Sequence, residues 1–267
     1  MKLLNRIRSS IAGRYKQWTF RPYVIERQIL GERFQFRIGD LFGEGWYGPQ
    51  HDLSGEYEWI KSHGIRPGDV VVDCGANHGF STILFSKWTG PEGKVFAFEP
   101  LAHNMKILHE NLRLNSAANV TCRSVAVGSA PGKVKITTHP NGTIFTKKPP
   151  RGQSGVEVPL VRLDDEFGST RVDFLKIDVE GFELEVLKGA RRIMASAPRL
   201  DIELHVFAYK NKEAQLREIF ELIPMDRYLA YVQAEIDGPV IPFERGRHTV
   251  EELSKNQLAH LFCDRHP

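Results

Sequence analysis

The stretch Val70-Val71-Val72-Asp73-Cys74-Gly75-Ala76-Asn77-His78-Gly79-Phe80 constrains this chain more than any other. A β-branched apolar run ends in an acid and a glycine-spaced turn, and a helical pattern begins at once. Such a run predicts a strand buried on both faces, as in a parallel sheet covered by helices. Gly75 and Gly79 remove Cβ atoms where a strand must turn sharply into a helix and let a ligand approach the backbone. The helix then offers free N–H groups to a polar or anionic ligand. Lys94-Val95-Phe96-Ala97-Phe98-Glu99-Pro100 follows as a second short strand ending in an acid. A carboxylate there is where nucleotide-binding folds hold both hydroxyls of a ribose. The two stretches together predict a nucleoside-cofactor site. With 267 residues, 41% of them hydrophobic, the chain is long enough for one full α/β domain.

The spacing narrows the choice of nucleoside. A dinucleotide fingerprint needs G-x-G-x-x-G so that the backbone can close on a pyrophosphate. Here Asn77 occupies the middle position and Phe80 stands where a third glycine would fall. A polar side chain beside the ligand suits an amino-acid moiety better, and a nicotinamide dehydrogenase is disfavoured. The pattern resembles motif I of the class I S-adenosylmethionine-dependent methyltransferases. That resemblance implies that Asp73, Gly75, Ala76, Asn77 and Gly79 face the amino-acid end of the cofactor. It gives Glu99, with Pro100 behind it, to the ribose hydroxyls and Ser124, Val125 and Ala126 to the adenine.

Before this core, Lys2, Arg6, Arg8, Arg14, Lys16 and Arg21 precede the first acid, Glu26, with Leu3, Leu4, Ile7 and Ile11 at helical spacing. A basic amphipathic helix of this kind lies on an anionic membrane surface or packs against the domain. Alternation from Tyr23 to Phe42 predicts a β-hairpin turned at Gly31-Glu32, and Gly43 to His51 reads as a loop. Carrying Trp46, Tyr47 and His51, that loop is either a cover for the site or a packed connector. A helix is expected from Ser54 to Gly64. The predicted domain therefore spans 53–267, with an extension over 1–52.

Within the domain, helices are expected over Ser81–Trp88 and His103–Leu114, and a third strand over Asn119–Gly128. Lys133–Thr138 and Val156–Val161 read as a hairpin whose polar tip, 139–155, is a lid or a mobile loop; this makes 133–161 an insertion. Arg171–Gly181 reads as strand four, with Lys176, Asp178 and Glu180 on one side. Interior charges are costly unless paired or at a strand end, and strand carboxyl ends line the ligand crevice in open α/β sheets. Asp178 and Glu180 are thus candidate catalytic residues. After a helix over Phe182–Met194, strand five, Arg199–Val206, puts Glu203 and His205 on one face, and His205 is a candidate base. Helix 214–223 and strands 228–233 and 258–263 complete the pattern.

Taken together, these stretches resemble the FkbM family of methyltransferases. They are Val71-Val72-Asp73-Cys74-Gly75-Ala76-Asn77-His78-Gly79, Val95 to Pro100, Val125-Ala126-Val127-Gly128, Leu163-Asp164-Asp165, Asp173 to Gly181, Glu185 to Ala190, and Ile202-Glu203-Leu204-His205. The family implies a Rossmann-like class I methyltransferase fold: a mostly parallel seven-stranded sheet, helices on both faces and an antiparallel last strand. It implies S-adenosylmethionine as donor and a hydroxyl of a small molecule or glycan as acceptor. His78 and Cys74 depart from the residues the family often has there. Asp178, Glu180 and His205 fall on the acceptor side, where Asp178 or His205 is the better base. Clustered carboxylates alternatively hold a divalent cation such as Mg²⁺ that acidifies the hydroxyl; no dedicated metal-ligand motif appears.

Rival readings are a nucleic-acid methyltransferase and a non-catalytic cofactor-binding protein. A net charge of +3 and the lack of an Asp/Asn-Pro-Pro-aromatic motif argue against the first. Charged residues kept at the strand ends argue against the second. Three widely spaced cysteines, no apolar run of membrane-span length and no secretory h-region predict a cytoplasmic protein, peripheral to a membrane if the basic N-terminus binds one.

Overall fold

The computed structural model describes residues 19–49, 54–145, 148–150, 152–235, 238–244 and 246–266. The basic N-terminal helix expected before Thr19 and the candidate His51 lie outside the described residues. The chain enters through a hairpin of β1 (Tyr23–Ile29) and β2 (Glu32–Ile38). Leu30 and Gly31 both take positive φ, 50° and 86°, the paired geometry of a two-residue turn whose twist matches its strands. Alternation buries Phe34, Phe36 and Ile38. The free edge of β2 is covered by side chains: Asn111 accepts from the Arg37 N–H at 2.6 Å, and Asn115 both accepts from and donates to the Gln35 backbone.

Helix α1 (Leu41–Tyr47) replaces the loop expected there. Two glycines weaken it by about 1 kcal/mol each. Asp40 offsets this as N-cap, accepting the Gly43 N–H at 2.8 Å, and Tyr47 stacks on Phe80 at 5.3 Å. Helix α2 (Ser54–Trp59) runs into a π-turn over Ile60–Gly64. Then come β3 (Val70–Cys74), α3 (Phe80–Thr89), β4 (Lys94–Phe98), α4 (Ala102–Leu114) and β5 (Val120–Arg123).

The strand expected over Asn119–Gly128 is two strands. After Arg123 the chain leaves the main sheet, and β6 (Ala126–Val127) joins β7 (Gly132–Thr137), β8 (Ile144–Phe145) and β9 (Gly155–Val161) in a second sheet ordered β6-β9-β7-β8. The β7–β9 hairpin is antiparallel, as the alternation predicts. Cys122 is only half-buried because β5 is an edge strand. Helix α5 (Leu163–Phe167) leads to β10 (Phe174–Ile177), shorter than the expected strand, so that Asp178 and Glu180 stand beyond its end.

The helix expected over Phe182–Met194 breaks into α6 (Glu183–Lys188) and α7 (Arg191–Ala195). A Cβ on Gly189 would sit 1.9 Å from the Gly128 carbonyl oxygen, so two backbones touch at the break. The rest is β11 (Arg199–Leu204), α8 (Lys212–Leu222), β12 (Tyr228–Gln233), β13 (Ile241–Pro242), α9 (Val250–Ser254) and β14 (Ala259–Arg265).

The main sheet is ordered β13-β12-β14-β11-β10-β3-β4-β5. From β11 to β5 the neighbours are parallel, while the last strand, β14, inserts antiparallel between β11 and β12. This is the Rossmann-like class I methyltransferase topology, with the two-residue β13 added at the edge. Period-2 alternation divides the core. Val72, Leu175 and Leu200 face one layer; Val71, Phe174 and Phe262 face the layer that holds α3 and the hairpin. Among the described residues no helix is long and apolar enough to cross a membrane.

Candidate functional site

The connections reverse direction at β3: the chain moves outward through β4 and β5, then returns to β10 and β11 on the other side. A cleft opens at the carboxyl ends of these strands, where open α/β sheets take ligands. Its floor is the turn after β3. Gly75 has φ +89°, and a Cβ there would fall 1.7 Å from the Asp178 carbonyl oxygen. Both Gly75 and Ala76 donate their N–H to the Phe98 carbonyl, at 2.9 and 3.0 Å. Asn77 takes φ 49° and donates its N–H to Glu99 Oε2 at 3.0 Å. Glu99 Oε1 accepts from the Leu101 N–H at 2.8 Å and from Asn104 Nδ2 at 3.3 Å. Burial pushes the Glu99 carboxyl up to about 7 despite these donors.

Gly75, Ala76, Asn77, Glu99, Pro100, Val125 and Ala126 all line the cleft. Three of the predicted cofactor residues do not. Asp73 is wholly buried beneath the turn, where Thr82 Oγ1 donates to its Oδ2 at 2.6 Å; burial pushes it up to about 6. Its place is under the start of α3, where Oδ2 holds the turn from below and Oδ1 has no hydrogen-bond partner among the described residues. Gly79, at φ +88°, leaves room for Leu108, whose Cδ1 lies 2.3 Å from where a Cβ would be. Ser124 is exposed at the break between β5 and β6, one residue before the cleft-lining Val125.

The loop after β7 closes over this half. The Pro140 carbonyl accepts from Asn104 Nδ2 at 2.9 Å and from Asn77 Nδ2 at 3.3 Å, so the loop is tied to both β3 and β4 turns. Pro140, Asn141, Gly142 and Ile144 line the cleft, and so do Phe42, Trp46 and Tyr47 of α1, where Phe42 meets the His139 ring edge-on at 6.0 Å. Parts of both the 43–51 segment, left open between cover and connector, and the 139–155 tip, left open between lid and mobile loop, thus line the cleft.

The other half of the cleft is a charge network. Lys176, buried on β10, places Nζ 3.1 Å from Glu56, 3.2 Å from Asp201 and 3.6 Å from Asp178. Burial works against its charge, but Asp201, Glu56 and Asp178 hold its ammonium well above the usual lysine range. Asp201 also meets His260 Nδ1 at 3.2 Å. Although burial opposes ionisation, Lys176 and His260 hold Asp201 down at about 2.

His205 stands just past β11. Its Nδ1 is 2.9 Å from Glu183 Oε1; the Tyr209 hydroxyl donates to the other Glu183 oxygen at 2.8 Å. Its Nε2 points at Glu180, Glu203 and Asp178, at 3.6, 3.7 and 3.9 Å. Burial disfavours the imidazolium, but the Glu183 hydrogen bond and the Glu203, Glu183 and Asp178 charges push it up to about 10. Burial raises Glu203 to about 8 and Glu180 to about 7. Asp178 is held below the usual carboxylate range: Lys176 and His205 outweigh its burial.

The structure thus brings Asp178, Glu180 and His205 together, with Asp178 and Glu180 lining the cleft and His205 behind them. Near neutral pH His205 is protonated, which removes it as a resting base. Sequence reasoning missed Lys176, Glu56 and His260 as site residues. Lys176 carried a signal, a lone cation in the buried run Phe174-Leu175-Lys176-Ile177. His260, alone in the apolar strand Ala259–Cys263, carried a weaker one, and Glu56 carried none.

Comparison with known proteins gives the family. The model of the "Methyltransferase FkbM domain" family matches residues 73–232. "Hexuronic acid methyltransferase AglP" of Haloferax volcanii is 28% identical over 58% of this chain and 64% of its own. "2-O-methyltransferase NoeI" of Sinorhizobium fredii is 24% identical over 75% of this chain and 89% of its own. The chain spans about three fifths of several curated relatives it matches, 59%, 62% and 64% of their lengths. A crystal structure of methyltransferase FkbM from Methylobacillus flagellatus aligns at 22% identity and TM-score 0.48, covering 77% of this chain and 50% of that one.

Proposed function

Because this chain belongs to the FkbM methyltransferase family, we propose that it moves a methyl group from S-adenosylmethionine to a hydroxyl of a neutral sugar, glycan or secondary metabolite. The observation that carries the reading is the division of one cleft: a backbone-built nucleoside half against a half lined by Asp178 and Glu180. We take 53–267 as the catalytic domain, with the 1–52 extension and the 133–161 insertion contributing α1 and the 140–144 loop to the acceptor walls.

The residues present fit the cofactor. Glu99 closes β4 with lone pairs left for ribose hydroxyls, Gly75 to Asn77 lie at the amino-acid end, and Val125 and Ala126 offer an apolar face to a purine. When bound, S-adenosylmethionine supplies a methyl group already activated on a sulfonium. The protein's task is then to align the acceptor and take its proton. Glu180 is the better base because burial raises it to about 7, near the operating pH. Asp178, ionised beside Lys176, orients the hydroxyl as a hydrogen-bond acceptor. His205, fixed by Glu183, keeps compensating charge behind the two carboxylates.

The acceptor wall couples Phe42, Trp46 and Tyr57 with carboxylates. Aromatic faces and hydrogen-bond acceptors suit a polyhydroxylated ring, whereas the local excess of acids disfavours an acidic one. NoeI, by its name, methylates oxygen and AglP a hexuronic acid; the first is the closer guide here. A second reading has a divalent cation replace the charge of His205, since Asp178, Glu203 and His205 offer ligand atoms within 4.8 Å of one another.

The test is methyl transfer to a panel of neutral hexosides, hexuronic acids and hydroxylated polyketides, with and without magnesium. Neutral acceptors are expected to react fastest. Asp178→Asn and Glu180→Gln should lower kcat by about 10²- to 10⁴-fold with cofactor affinity nearly unchanged. Wild-type turnover in both variants would remove this half of the cleft from the chemistry, and strict magnesium dependence would favour the second reading.

A further inference from the structure

His78 departs from the family pattern in sequence, and its surroundings in the fold are not explained by cofactor binding. It is wholly buried, and neither ring nitrogen makes a hydrogen bond of good geometry; the Asn104 side chain, whose Oδ1 also lacks a partner, is the neighbouring polar group. A buried imidazole without well-formed hydrogen bonds is costly unless a ligand satisfies it. Its Nε2 points at Asp40 Oδ2, 3.8 Å away, and Asp40 Oδ2 is in turn 2.7 Å from Nε2 of His103. The three atoms that could bind a cation all lie within 4.8 Å of one another. His103 keeps 58% of its side chain exposed, which provides an entry path. The pocket is shaped around the imidazole: a Cβ on Gly43 would come within 2.9 Å of His78 Nδ1.

We propose that Asp40, His78 and His103 form a divalent-cation site of the zinc type, outside the cleft. Two imidazoles and one carboxylate, with water completing a tetrahedron, suit Zn²⁺ and its borderline neighbours Co²⁺ and Ni²⁺ better than Mg²⁺. The buried free nitrogen of His78 supplies the ligand that is otherwise unaccounted for. Asp40 would use Oδ2 for the ion and keep Oδ1 on the Gly43 N–H as helix cap.

The three ligands come from three places: His78 from the turn after β3, His103 from the first turn of α4, and Asp40 from the cap of α1. An ion there pins α1, with its cleft-lining Phe42, Trp46 and Tyr47, to the turn that forms the cleft floor. Its role is therefore structural: it sets the position of an acceptor wall and takes no part in the transfer.

The experiment is titration of the chelator-stripped full-length chain with Co²⁺, followed by its visible absorption, and with Zn²⁺, followed by thermal unfolding, both without substrate. The expected result is one tightly bound cobalt with the bands of a tetrahedral nitrogen–oxygen site, displaced by zinc, and a Tm raised by zinc. His103→Ala, an exposed change that leaves the core intact, should abolish the bands and the zinc shift, and His78→Phe should do the same. Asp178→Asn should leave both in place, which separates this site from the charge network in the cleft. Absence of cobalt bands in the folded wild type, or bands that survive in His103→Ala, would overturn the proposal.

Discussion

The two halves of the cleft are made in different ways. The nucleoside half is made of backbone: a glycine against a carbonyl, an asparagine at positive φ, and a carboxylate held by N–H groups. The acceptor half is made of side chains that converge from α2, β10, β11, the turns beyond them and β14. A backbone-built site tolerates little, because no rotamer relieves a clash with a main-chain oxygen. A side-chain network tolerates more geometry but depends on charge balance.

Gly75→Ala should break the first half with the largest effect. The added Cβ meets the Asp178 oxygen at 1.7 Å with φ at +89°, and the only relief is to separate β3 from β10. A loss above about 4 kcal/mol is expected, in the exceptional range for single changes. Soluble yield and chemical denaturation measure it, and calorimetry with S-adenosylmethionine should find no binding. Near-wild-type stability and affinity would mean that the strand ends can part, and the contrast between the halves would fall.

Lys176→Met tests the second half. It leaves Asp201, Glu56 and Asp178 without their shared cation in a buried site, and breaking such a network costs about 3–5 kcal/mol. The carboxylates should answer by taking up protons, so stability lost at pH 8 should partly return at pH 5. A deficit equal at both values would show that the lysine stem's packing matters, not its charge.

That contrast also explains what could be read from the sequence. A backbone-built site leaves local signatures, because positive φ and close approach demand glycine or asparagine at fixed spacing. Gly75, Asn77 and Glu99 were legible on that ground. Asp73 was harder to place for a related reason: the pattern marks an acid at a strand end without saying which way the pleat turns it, and the fold buries it beneath the turn. The charge network leaves almost no local trace. Glu56 meets Lys176 directly and His260 joins the network through Asp201, from segments 204 residues apart, and only Lys176 stands out, being costly where it is. Strand and helix lengths were overestimated where tertiary contact interrupts a good local pattern, as at Gly189 against Gly128 and at the break after Arg123.

The smallest expected effect is in pH dependence. His205 and His260 have folded pKa values raised to about 10 and about 9, above the ordinary histidine value near 6.5. Each therefore contributes stability that is complete below about pH 6.5 and is lost as pH rises through its folded value. Glu180 and Glu203, raised to about 7 and about 8, add the same sign from pH 4.5 upward. Asp201, held at about 2, has the opposite sense, but its contribution is lost only in strong acid. The acceptor half should thus make the protein progressively less stable from about pH 6 to pH 10, while in the nucleoside half Glu99, near 7, adds to the slope and Asp73, near 6, adds at its acid end. Tm measured across that range should fall steadily, and His205→Gln should flatten the alkaline part of the curve. A slope unchanged by His205→Gln would place the titrating groups elsewhere and remove the histidine from the charge balance of the cleft.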